Sequence, residues 1–199
     1  MTMNLDISKS KVICVGRNYV EHIQELNNEI PKNPVIFFKP NSSISRKLEL
    51  SDKRETHYEC EIVFSFDSKS NIKAVGVGLD LTDRKLQSTL KAKGLPWELA
   101  KAFNNSAVIS DFVEISQDQI PKLSFKAYKN DMLIQYGNYE LMIYKPDQII
   151  EFLKENEILI CENDLLMTGT PKGVGVVTAG DKFKIELYCE DKRILETNF

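Results

Sequence analysis

Glu59 and Glu61 stand two residues apart in His57-Tyr58-Glu59-Cys60-Glu61-Ile62-Val63-Phe64-Ser65-Phe66, a stretch whose alternation predicts a β-strand. At a period of two, His57, Glu59, Glu61, Val63 and Ser65 share one face, and Tyr58, Cys60, Ile62, Phe64 and Phe66 share the other. The apolar second face calls for a core beneath it. That contact fixes the register and holds the carboxylates side by side, about 7 Å apart at a rise of roughly 3.3 Å per residue. Two like charges so close are unfavourable without something positive between them, and a divalent cation would supply it. On a wet antiparallel face the same pair also reads as solvated charge.

Other groups with chemical potential are spread along the chain. His22 and Glu25, three apart on a short helix, are neighbours on its surface, so the carboxylate could orient the imidazole as a general base. A surface His beside a Glu satisfies the same spacing. Asp80 falls at the end of an apolar run, where a cap or turn residue is also common, and Arg84 and Gln87 share a helical face just after it. Arg84 and Lys101, taken alone, are surface cations. Thr168-Gly169-Thr170-Pro171-Lys172-Gly173-Val174-Gly175 offers backbone N–H groups and two hydroxyls that suit a carboxylate. It lacks P-loop spacing, and a plain glycine-rich hairpin is the other reading.

The elements that must position these groups are predicted as follows. Lys11–Gly16 is a buried strand, and Val20, Ile23 and Leu26 give one face of a short helix with Asn18 as its N-cap. That helix lies between Gly16 and Pro34 and is a candidate lid. Val35–Lys39 is a strand, and 46–56 a charged edge and loop. Ile72–Leu81 is a strand whose glycines permit close approach. Thr82 is the expected N-cap of the next helix, Asp83 its first-turn acid, and Leu86 with Leu90 its inward face. Strand-like runs follow from Ala107, with Asn130-Asp131 as a hairpin turn, and a helix starts at Pro146.

The composition narrows the class. The 199 residues suit one domain with its own core, mixed but mainly β with a few helices. The net charge of −3, with no basic stripe, argues against nucleic acid. No run approaches the ~18 apolar residues of a membrane span, and 1–6 has no signal-peptide core, so a cytoplasmic, membrane-free protein is expected. Cys14, Cys60, Cys161 and Cys189 are scattered singly and fit buried reduced thiols.

In order along the chain, Val15-Gly16-Arg17-Asn18-Tyr19 with His22, Phe37-Phe38-Lys39-Pro40, His57–Glu61, Leu79-Asp80-Leu81-Thr82 with Arg84 and Gln87, Lys93-Gly94-Leu95-Pro96-Trp97 with Lys101, and Thr168–Gly175 resemble the fumarylacetoacetate hydrolase family. The similarity is strongest to its short, single-domain acylpyruvase branch. The resemblance implies a mixed β-sandwich roll over residues 1–199, a homodimer, and Mg²⁺ or Mn²⁺ on Glu59, Glu61 and Asp80. Three carboxylates are also the set that hard cations prefer.

It further implies a small 2-oxo acid substrate held by Arg17, Arg84, Gln87 and Thr170, with His22, Glu25 and Lys101 as catalytic residues. The expected reaction is metal-dependent hydrolysis of a carbon–carbon bond in an acylpyruvate, with Lys101 stabilising the pyruvate enolate. Relatives of this kind also decarboxylate or tautomerise oxaloacetate, or isomerise 2-hydroxy-dienedioates. A non-catalytic module binding a metal or dicarboxylate is the remaining alternative. This chain departs from the family in Thr82-Asp83-Arg84-Lys85, where relatives often have Ser/Thr-Ala-Arg-Asp.

Overall fold

The computed structural model describes residues 2–3, 5–25 and 30–199, without the side chains of 22–24. The first half runs β1 (Thr2–Met3), β2 (Val12–Gly16), α1 (Val20–Glu25), β3 (Val35–Lys39), β4 (Ile44–Ser45), β5 (Thr56–Tyr58), β6 (Cys60–Phe66), β7 (Ile72–Asp80), β8 (Thr82–Asp83), α2 (Arg84–Ala92) and α3 (Glu98–Lys101). The second runs β9 (Ala107–Ile109), β10 (Phe112–Glu114), β11 (Leu123–Lys129), β12 (Met132–Asn138), α4 (Pro146–Glu155), β13 (Leu165–Met167), β14 (Gly175–Val176), β15 (Phe183–Cys189) and β16 (Lys192–Asn198). The fold is mainly β, as expected.

The largest sheet has the order β1-β10-β7-β6-β13-β2-β3, with β9 joining β7 to β4. A second sheet, β12-β11-β15-β16, is an antiparallel set, and a small one joins β14, β5 and β8. The large sheet is covered on both faces. Ile62, Phe64, Phe66, Val75 and Val77 pack in one core with Phe125, Ile185 and Leu187 of the second sheet and Ile149 and Leu153 of α4. Val12, Cys14, Phe37, Val63, Ala74, Ile109 and Met167 make a separate core on the opposite side. Each fully buried Leu, Ile or Phe in these layers contributes on the order of 1.5–3 kcal/mol.

This double cover corrects the alternation argument. His57–Phe66 is two strands broken at Glu59, and every residue of β6 is buried. Its apolar face packs on the core as predicted, but the face with Val63 and Ser65 is dry, because β6 sits between β7 and β13 with the second core over it.

Local capping also differs from the sequence expectation. Asp83, not Thr82, caps α2, accepting from Leu86 N–H at 3.0 Å, while Thr82 pairs with His57 in the small sheet. Asn18 does not cap α1. Its side chain donates to the carbonyls of Thr168 (2.8 Å) and Tyr144 (3.0 Å) and accepts from Tyr144 N–H (2.7 Å), tying the entry of α1 to two distant loops. The 130–131 hairpin forms as predicted, with φ of 50° and 66°. All four cysteines are free, but only Cys14 and Cys60 are buried as expected, Cys189 being half-buried and Cys161 exposed.

Candidate metal centre

Strand pairing builds this centre. β6 and β7 run antiparallel with Glu61 opposite Gly78, and the Asp80 N–H donates to the Glu59 carbonyl at 2.8 Å. One oxygen each from Glu59, Glu61 and Asp80 thereby lies within 4.8 Å of the others. The three residues are 5%, 2% and 1% exposed, so the solvated-charge reading of Glu59 and Glu61 does not hold.

Cations press on two of the three. Lys101 on α3 places its Nζ 2.7 Å from Glu59 Oε2 and 2.6 Å from Asp80 Oδ2. The Arg84 guanidinium pairs with Glu59 Oε1 and donates to Gln87 Oε1 at 2.9 Å. Lys39, fully buried, brings its Nζ 2.8 Å from Asp80 Oδ1 and donates to the carbonyls of Leu81, Lys101 and Ser106. Burial alone would lower the Lys101 pKa. Asp80 and Glu59 more than offset it, pushing the group up and keeping it cationic.

Glu61 is different. Among the described residues it has no cationic partner, only the Gly169 N–H donating to its Oε2 at 2.7 Å. Burial, then Asp80 and Glu59, push its carboxyl well above the usual range. Asp80 Oδ1 meets the buried Lys39 ammonium at 2.8 Å. Three buried carboxylates within 4.8 Å, one of them without an ion-pair partner among the described residues, fit a hard divalent cation. Cys14 and Cys60 do not compete as ligands, since burial first and nearby carboxylates second hold both thiols protonated. Mg²⁺ or Mn²⁺ fits this donor set on Glu59, Glu61 and Asp80.

The other predicted site residues are placed as follows. Arg17, Arg84, Gln87, Lys101 and Thr170 line one narrow, half-open cleft with the three acids, closed on its apolar side by Val15, Val35, Phe37 and Trp97. Gln87, not Leu86 or Leu90, is the buried residue of α2, because this helix turns its polar face to the centre. Thr170 Oγ1 already donates to the Cys60 carbonyl (2.9 Å) and accepts from Gln135 Nε2 (2.8 Å). The glycine-rich turn thus has a framework use: Gly169, at φ 92°, holds a predicted metal ligand, and a Cβ there would meet Asn18 at 2.8 Å.

Glu25 is exposed and accepts from Gly173 N–H at 3.2 Å, while Glu21 pairs with Lys172 at 3.1 Å, so α1 is tied to the turn. The His22 side chain lies outside the described residues.

Several residues of the site went unassigned at the sequence level. Lys39 had one local signal, a lysine sharing the Val35 and Phe37 face of an apolar strand. Gln135 had none, yet it is 2% exposed and joins Cys60 N–H, Thr170 and the Pro171 carbonyl. Lys91 and Trp97 also line the cleft.

A direct consequence concerns metal loading. Mg²⁺ or Mn²⁺ at a hundredfold excess over Kd should stabilise the fold by about 2.7 kcal/mol, read as a rise in Tm that a chelator reverses. Glu61→Gln, which keeps an acceptor for Gly169 but removes the charge, should lose most of that rise. An undiminished rise in this variant would place the ion elsewhere.

The family described as fumarylacetoacetate (FAA) hydrolase C-terminal matches residues 11–198. The oxaloacetate tautomerase YcgM of Escherichia coli is 34% identical over 199 aligned residues, covering 91% of this chain and 90% of its own. A mitochondrial oxaloacetate tautomerase of Saccharomyces cerevisiae is 30% identical, over 100% of this chain and 95% of its own. Among solved structures, a fumarylpyruvate hydrolase of Pseudomonas aeruginosa with Mn²⁺ and pyruvate superposes with a TM-score of 0.82 at 26% identity, covering 94% and 91% of the two chains.

Proposed function

This chain belongs to the fumarylacetoacetate hydrolase family, and on that premise we propose that it is a divalent-metal-dependent enzyme that interconverts the keto and enol forms of oxaloacetate. The sequence alone favoured carbon–carbon hydrolysis. The names of relatives aligned over nine-tenths of both chains favour the tautomerase alternative instead. The observation that carries the reading is Lys101. Its ammonium is pinned between Glu59 and Asp80 in the cleft, where the 2-oxygen of a bound 2-oxo acid would become negative.

When bound, Mg²⁺ or Mn²⁺ on the three acids would polarise the substrate's 2-oxo group. Lys101 supplies fixed positive charge to the enolate oxygen, an interaction stronger in the transition state than in the ground state. Arg84, braced by Glu59 and Gln87, offers its guanidinium to the 1-carboxylate. We assign the C3 proton to His22, for which Glu25, three residues on, is the carboxylate partner that the sequence offers. His22 takes it from C3 and returns it to the 2-oxygen to give the enol, and the reverse path gives the keto form. Val15, Val35, Phe37 and Trp97 limit water at the reacting carbon.

The deciding assay follows decay of the ultraviolet absorbance of enol-oxaloacetate, with pyruvate release from acetylpyruvate measured in parallel. Rapid Mg²⁺-dependent enol decay with slow acetylpyruvate cleavage is the expected result. Faster acetylpyruvate cleavage, lost in His22→Ala, would hand the site to the hydrolase reading, which the Mn²⁺ and pyruvate of the Pseudomonas neighbour also favour. No turnover of either would leave a binding module.

Two surroundings of the enzyme are part of the proposal. Strand β12 is the open edge of the second sheet and exposes Met132, Leu133 and Tyr136, which suits a homodimer that light scattering would detect. A cytoplasmic site of action is proposed as well. Among the described residues no helix is long and apolar enough to cross a membrane.

A further inference from the structure

One wall of the cleft carries positive charge that neither the metal nor the enolate chemistry uses. Arg84, Gln87 and Lys91 follow one another at three- and four-residue steps along a single face of α2. The first two are taken up by Glu59, by each other and, in the mechanism proposed above, by the 1-carboxylate, which leaves Lys91. Lys91 stands one turn further out, about 6 Å along the axis at 1.5 Å per residue, and its Nζ sits 4.8 Å above the Trp97 ring.

Arg17, Lys91 and Trp97 belong to the same cleft as the three acids. Among the described residues, no carboxylate lies within ion-pair distance of Lys91 or Arg17. Lys91 is exposed as a residue, and partial burial, then Arg17, Lys101 and Arg84, pull its pKa down to about 8, with Glu59 opposing the shift. Arg17 has φ 57°, a left-handed conformation that a non-glycine residue holds only where its surroundings enforce it, as they often do at ligand clamps.

We propose that Lys91 on its Trp97 platform, with Arg17 beside it, binds the far carboxylate of a 2-oxo dicarboxylic acid whose other end chelates the metal. The anchor selects 2-oxo diacids over acids with an apolar or absent tail, because an indole-backed ammonium left without its anion gains nothing from an alkyl group. The inference rests on reading the cleft as a 2-oxo acid site.

The test uses the Mg²⁺-loaded protein and two unreactive 2-hydroxy acids, malate, which has the far carboxylate, and lactate, which lacks it. Binding is measured by calorimetry. Trp97, the single tryptophan of the chain, gives a second signal from the anchor itself. The parent protein should bind malate at least tenfold more tightly than lactate. Lys91→Met should bring the two within twofold by weakening malate alone, and Lys91→Arg should keep the preference. Loss of both acids together in Lys91→Met, a preference that survives it, or no preference in the parent would each overturn the anchor. Failure of oxaloacetate turnover with the malate preference intact would instead overturn the tautomerase reading and leave the anchor standing.

Discussion

Lys101→Met is expected to lower kcat for enol-oxaloacetate by about 10²–10³-fold, the usual loss when one preorganised partner of a developing oxyanion is removed. The same substitution should tighten Mn²⁺ binding. The lysine ammonium holds Glu59 Oε2 and Asp80 Oδ2 at 2.7 and 2.6 Å, and so competes with any metal for two of its three ligands. Removing it leaves two buried carboxylates with less positive charge, which lowers stability in chelator and raises the gain from metal. A purely structural lysine would instead weaken fold, metal site and turnover together. Stopped-flow enol decay and a Mn²⁺ titration on one preparation separate the cases. Turnover within tenfold of the parent would remove Lys101 from the chemistry.

Lys39→Met is expected to give the largest loss of stability of any single change at the centre, about 3–5 kcal/mol, because breaking a buried ion pair from one side leaves the other charge uncompensated. Lys39 is 0% exposed, and Asp80 and three main-chain carbonyls surround its Nζ. Burial pulls its pKa down and Asp80 pulls it back, so the pair stands or falls together. At roughly 2–4 °C per kcal/mol for a chain of this size, Tm should drop by about 10 °C. In chelator, adding Asp80→Asn to Lys39→Met should cost much less than Asp80→Asn alone, since the two residues are in contact. Additive losses in urea unfolding would mean that Lys39 acts through the carbonyls and not through Asp80.

Local pattern singled out the candidate ligands but left each with a bland alternative, solvated charge for Glu59 and Glu61 and a cap or turn for Asp80. Only the family resemblance joined the three. Glu59 and Glu61 are two apart in a strand with one apolar face, and Asp80 ends the strand that pairs with it. The 130–131 hairpin and α4 starting at Pro146 could be read from local pattern, because turn and first-turn preferences act within a few residues. The family itself is carried by short motifs spread over most of the chain, and those too are sequence.

Periodicity says which side chains share a face, but not what lies against that face. The face of β6 with Val63 and Ser65 is dry only because a second core covers the sheet, and α2 turns in Gln87 because its neighbours there are charged. Asn18 has the composition of a helix cap, yet it bonds residues 126 and 150 positions away. Gly169 reaches Glu61 across 108 residues, and Lys39 reaches Leu81, next to Asp80, across 42. Residue type and short spacing decided which carboxylates, cations and hydroxyls this protein has to offer a site. Tertiary structure decided how deeply they are buried and which cation faces which acid, because those contacts join segments that no local pattern relates.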